Sequence, residues 1–113
     1  MNAADVRQIV AQFPGSEEGA HHGHPDFRVR KKIFATLSEK EDRAALRLTH
    51  LEARELARAH PQMVRLVSDR EPYGWVSVLL EAFDADAFAD LLEEAWKLRA
   101  PDDLVKEYAA ATC

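Results

Sequence analysis

The sequence predicts an α+β fold, an antiparallel sheet of about five to six strands with helices packed on one side. Three observations carry this. Helix-period apolar patterns stand at both ends of the chain and once in its middle. Short alternating apolar runs fill the intervals between them. The links between those runs are too short for parallel crossovers and are rich in turn formers, so neighbouring strands should pair antiparallel. The 113 residues fit one domain with one core, and 1–113 reads as a single unit.

The first helix places Val6, Ile9, Val10 and Phe13 on one buried face, and Pro14–Gly15 stops it. Strand candidates follow around 17–22, 26–30, 33–38 and 43–49. The charged stretch SEKEDR separates the last two and reads as a hairpin loop. Thr49 and Glu52 have capping-box spacing, which starts a helix running to about His60, before Pro61. A short strand is expected at 62–67, turn chemistry at 68–74 and the most apolar strand at 75–81. Asp84 or Asp86 caps a helix that buries Phe88, Leu91, Leu92, Ala95 and Trp96. Pro101 ends it, and DDLVKEY opens a last short helix.

Composition narrows the function classes. No apolar run approaches the ~18 residues of a membrane span, and the N-terminal residues lack a signal-peptide core. The one cysteine, Cys113, permits no intrachain disulfide, so a reduced, cytoplasmic monomer is expected. The net charge of −5 is unevenly spread: residues 26–50 carry seven basic and four acidic side chains, residues 81–113 three and nine.

The stretch GAHHGHPDFRVRKKIF concentrates the candidate chemistry. In an extended chain His22 and His24 would share a face with Asp26 beyond them, a spacing that could ligate a cation. Gly23 and Pro25 interrupt that alternation, and no further ligand motif completes a set. His22, His24, Pro25 and Phe27 therefore read as a turn motif, with no metal site. For catalysis, Ser16, Ser77 and Cys113 are the available nucleophiles, and none has the setting of a nucleophile elbow. With no phosphate-cradling glycine loop either, no enzyme activity and no cofactor are expected.

The basic residues suggest something more specific. Arg28 and Arg30 alternate with Phe27 and Val29, which turns the arginines outward, and Lys31 and Lys32 fall in the following turn. Arg43 and Arg47 alternate along a later strand. Cations on a hairpin can engage phosphates in fixed register, and Tyr73 and Trp75 could stack on a base if exposed. Against stacking, Trp75 opens the most apolar strand, which favours a core position.

FPGSEEG after a first helix, then GHPDFRV, KIFATL, GW opening a strand and a closing LLEEAWKLRAP resemble the MmcQ/YjbR family over about residues 5–108. The resemblance implies a compact α+β fold similar to the frataxin-like CyaY fold, described as a double-wing DNA-binding motif. It implies DNA binding and supplies no catalytic residues. The leading expectation is non-enzymatic, non-specific, salt-sensitive binding of DNA phosphates through the basic hairpin. The competing one is a small interaction module for a protein or small ligand.

Overall fold

The computed structural model describes residues 1–112, so the thiol of Cys113 lies outside the described residues. In chain order the elements are α1 (Ala3–Val10), β1 (Ser16–His21), β2 (His24–Val29), β3 (Lys32–Leu37) and β4 (Arg43–Thr49). Then come α2 (His50–Ala59), β5 (Val64–Arg70), β6 (Tyr73–Leu79), α3 (Ala85–Lys97) and α4 (Asp102–Thr112). This is the predicted α+β order. The strands form one antiparallel sheet in the order β1-β2-β3-β4-β6-β5. Helix α2 carries the chain from β4 to the far edge, and the β5–β6 hairpin returns it to pair β6 with β4.

Local chemistry sets the ends of the elements. Thr49 and Glu52 close the expected capping box on α2, and Asn2 with Asp5 closes another on α1. Asp84 caps α3 by accepting from the Ala87 amide at 2.9 Å. Most strand limits move by one or two residues, and three differences are larger or more telling. Helix α1 ends at Val10, yet Phe13 is still buried beyond it. The turn expected over 68–74 shrinks to two residues. Asp69 and Arg70, turn formers by type, are held in β5 opposite Gly74 and Tyr73. Consequently β6 begins at Tyr73 and ends at Leu79.

Alternation along β4 and β6 separates two faces. Ala44, Leu46 and Leu48 of β4 stand opposite Val78, Val76 and Gly74 of β6, and all six are buried. Arg43, Ala45, Arg47 and Thr49 point the other way, with Leu79, Ser77, Trp75 and Tyr73 opposite them. All four helices contribute to the core on the first face: Val6 and Val10 from α1, Ala53 from α2, four residues of α3 and Leu104 from α4. Fully buried Trp96 anchors it. Its ring lies 5.3 Å from both Phe13 and Tyr108, and Phe34 meets Phe13 edge-on at 6.5 Å. Among the described residues no helix packs on the opposite face of the sheet.

Gly74 marks a close approach of sheet and helix. A Cβ there would lie 2.8 Å from Cβ of Ala53 on α2 and 3.2 Å from the Ser68 carbonyl. Gly74→Ala should therefore destabilise the protein by about 1–3 kcal/mol through overpacking. In an Ala53→Gly background the same change should cost less, because the opposing methyl is gone. Urea unfolding of the four-variant cycle measures this; purely additive costs would refute the steric account.

Candidate nucleic-acid interface

The two histidines flank a turn. His22 and Gly23 adopt φ of 52° and 79°, and the chain reverses between them so that His21, not His22, stands opposite His24. The extended H-x-H-x-D ligand geometry therefore does not form. The His21 and His22 rings lie 4.1 Å apart at the tip, while Nδ1 of His24 is buried without a partner. Among the described residues no three His, Cys, Asp or Glu side chains gather as a metal site. Pro25 occupies a position of β2 that pairs with β1 alone, where its missing N–H costs no second ladder bond. Phe27 is core.

Arg28 does reach the helix-free face, but it is engaged there. Asp26, wholly buried two residues earlier, accepts from its Nε and Nη2 at 2.8 and 2.9 Å, a two-pronged pair. That carboxylate holds the Arg28 guanidinium above its usual pKa. Gly19, opposite Asp26, leaves the room for it, since a Cβ would sit 3.0 Å from Oδ1 and 3.3 Å from Nε of Arg28. Arg30 is also paired, donating to Asp103 of α4 at 3.1 Å. The turn is Arg30–Lys31, both at positive φ, and Lys32 belongs to β3 opposite Val29. Of the four basic residues in this hairpin, Lys31 and Lys32 make no ion pair among the described residues, and both are exposed.

The wider helix-free face holds the rest. Arg43 donates to Ser77 Oγ at 2.8 Å and to the Ser77 carbonyl at 3.1 Å. Burial first and then the like charge of Arg65 lower its pKa. Arg47 is 8% exposed and stacks its guanidinium 3.5 Å from the centre of the Tyr73 ring. Trp75, opposite Arg47, lies outside the core and is half-buried on this face. The apolar character of its strand suggested burial; alternation decides otherwise. Arg65 and Arg70, opposite Ser77 and Tyr73, join the same face. The charge runs of the sequence held no signal for these two, because only strand pairing assigns them a side.

Register also sorts the ends of the sheet. Following the pairs Val29–Lys32, Leu48–Gly74, Thr49–Tyr73 and Arg70–Tyr73 places the β2–β3 and β5–β6 tips at one end. Lys31, Lys32, Arg47, Arg70 and Tyr73 thus share that end. So does Arg99, which follows α3 and donates to the Ile33 carbonyl at 3.1 Å. The acids of α3 and α4 belong to the helical side, apart from the Asp103 contact with Arg30. Grooves lie elsewhere. One is bounded by Phe13, Pro14, Glu107 and Tyr108, and another by Leu51, Arg54, Arg58 and Leu66 on the helical side of β5. Among the described residues no helix is long and apolar enough to cross a membrane.

Known proteins agree with this architecture. The family model described as YjbR matches residues 11–98. The chain is similar to the crystal structure of a Deinococcus radiodurans protein with a DUF419 domain, at TM-score 0.78 and 22% identity. That alignment covers 96% of this chain and 88% of the other. It is also similar to a Pseudomonas syringae protein, at TM-score 0.68 and 15% identity over 88% of this chain and 99% of that one. No curated protein matches significantly.

The Asp26–Arg28 pair yields a direct check. Arg28→Met strands a fully buried carboxylate and should destabilise the fold. Asp26→Asn added to that variant should restore part of the loss, since it removes the orphaned charge. Thermal unfolding of both variants tests this; an Arg28→Met protein as stable as the parent would show the pair to be incidental.

Proposed function

The chain belongs to the YjbR family, and from that premise we propose that it binds DNA non-enzymatically, gripping phosphates with the helix-free face of its sheet. The observation that carries this reading is the composition of that face. Arg43, Arg47, Arg65 and Arg70 surround Trp75 and Tyr73, while Asp26 on the same face is spent on Arg28. Cations on rigid strands hold phosphates in register, and the partly exposed indole of Trp75 offers a stacking edge to an unpaired base. The tips at Arg30–Lys31 and Glu71–Pro72 extend the surface at one end as two wings. Contacts mainly to phosphate give weak, sequence-tolerant affinity. The same reading takes the chain as a cytoplasmic, single-domain monomer.

The face replaces the hairpin as the principal contact, because two of the four hairpin cations are neutralised within the protein. Arg65 and Arg70 make no ion pair among the described residues and are exposed. Neither needs to break an internal bond before meeting DNA.

Fluorescence anisotropy with labelled duplex and single-stranded DNA tests the proposal at 50 and 200 mM salt. About three to four phosphate contacts give a log–log salt slope near −3, a loss of affinity of roughly 60-fold across that range. Arg65→Gln/Arg70→Gln should weaken binding and reduce the slope by about 2. Lys31→Gln/Lys32→Gln should also weaken it. Arg58→Gln, on α2 and paired with Glu55, should leave binding unchanged. No binding at tens of micromolar protein in 50 mM salt, or equal loss in Arg58→Gln, would refute the DNA reading.

A further inference from the structure

Arg47 and Arg99 are two cations without counter-charges. Neither forms an ion pair among the described residues. Arg47 is more than nine-tenths buried, and its Nη1 is enclosed with no hydrogen-bond partner among the described residues. Its one specific contact is the Tyr73 ring, which meets the guanidinium with its π face and leaves the in-plane N–H donors unused. Arg99 is half-buried, and its Nε is fixed by the Ile33 carbonyl. Ile33 lies two residues from Ala35, the β3 partner of Leu46, so the bond to its carbonyl holds Arg99 near Arg47 of β4; burial first, then the like charge of Arg47, lowers the pKa of Arg99.

A buried guanidinium without acceptors is unfavourable, and a second one close by makes it more so. Proteins usually resolve this with a carboxylate, as Asp26 does for Arg28. Among the described residues no carboxylate pairs with Arg47 or Arg99. The missing partner has a definite chemistry: a compact, multiply accepting anion that can take in-plane N–H donors from two guanidiniums. The backbone holds both donors in place before any anion arrives, Arg47 on a central strand and Arg99 through its bond to β3.

The geometry points to Arg47, Arg99 and Tyr73 as a receptor for a single phosphate group at the wing end of the helix-free face. Tyr73 fixes the plane of Arg47, and the two guanidiniums supply the donors. The phosphate could belong to a nucleic-acid strand, which would make this the anchoring subsite of the proposed DNA surface. It could equally be free phosphate or a small phosphate ester. In the first case the inference rests on the DNA reading; in the second it stands apart from it.

Thermal unfolding in inorganic phosphate, against sodium chloride of equal ionic strength, is the test. Phosphate at about ten times its Kd should raise Tm by roughly 5 °C, and the rise should saturate. Non-specific salting effects instead grow steadily with concentration and act on every variant alike. The saturable part should vanish in Arg99→Gln, return in part in Arg99→Lys, which keeps the charge, and persist in Arg58→Gln. Arg47→Gln should also lose it; if that central-strand variant does not fold, the Arg99 pair carries the test. Competition of phosphate with a labelled oligonucleotide identifies the source. Displacement assigns the site to nucleic-acid phosphate. A saturable shift with no oligonucleotide binding assigns it to free phosphate or a small ester, and removes the DNA reading while this one stands. Absence of a saturable shift in the parent protein, or an undiminished shift in Arg99→Gln, overturns the inference even if DNA binds.

Discussion

Strands β4 and β6 each have a neighbour on both sides and helices over one face only, and the other features of the molecule follow from that constraint. Side chains alternate, so every second residue of these strands must meet the helices and every other one must not. The small and aliphatic positions, Ala44, Leu46, Leu48, Gly74, Val76 and Val78, accept the helices. What remains is committed to the other side: Arg43, Arg47, Trp75 and Tyr73, with Ala45, Thr49, Ser77 and Leu79 among them. A shift of one residue would carry the arginines of β4, or Tyr73, Trp75 and Ser77 of β6, into the core, so the register is fixed by the same pattern that assembles the basic face. Packing of α2 depends on it too, because only Gly74 lets Ala53 approach so closely.

The arginines of that face fall into two physical states. Arg28 and Arg43 have their acceptors within the protein, a carboxylate for one, a hydroxyl and carbonyls for the other. They brace the sheet, and DNA could engage them only alongside those bonds. Arg47, Arg65 and Arg70 make no hydrogen bond to another side chain or to backbone within the described residues, and Arg47 does so while nearly enclosed. Burying an unpaired charge is costly. Its position on a central strand, under a tyrosine and near a second arginine, gives the face a focal point that the exposed arginines lack.

Much of the fold was legible because it rests on local periods: 3.6 residues in the helices, two in the strands, with caps and turns between them. The boundary at 68–74 shifted because pairing across the β5–β6 hairpin overrode local type, drawing Asp69 and Arg70 into β5 opposite Gly74 and Tyr73. The site was less legible for the same reason. Pairing of Arg28 with Asp26 lies two residues apart on one strand face and was open to inspection. Pairing of Arg30 with Asp103 spans 73 positions and was not. Arg99 follows a helix whose apolar stripe is the conspicuous feature, and nothing local connects it to Ile33, 66 positions earlier. The histidines misdirect because adjacency in sequence is undone by the reversal at His22–Gly23.

A net charge of −5 opposes a polyanionic ligand, and the architecture removes much of that conflict. The acids of the last third of the chain lie mainly on α3 and α4, beyond the sheet from the helix-free face. A helix packed on a sheet stands about 10 Å away, comparable to the Debye length of about 8 Å at physiological salt. An incoming phosphate at the outer surface of the sheet is farther still from those carboxylates. At that ionic strength it is governed by the arginines it touches. At low salt the Debye length grows to about 30 Å at 0.01 M, and the whole acidic chain is felt. Local attraction and global repulsion thus have different ranges, and salt shifts the balance between them: enough ions hide the helices, too many also hide the face. A one-sided sheet with its acids on the covering layer is therefore compatible with an acidic protein whose open face attracts anions.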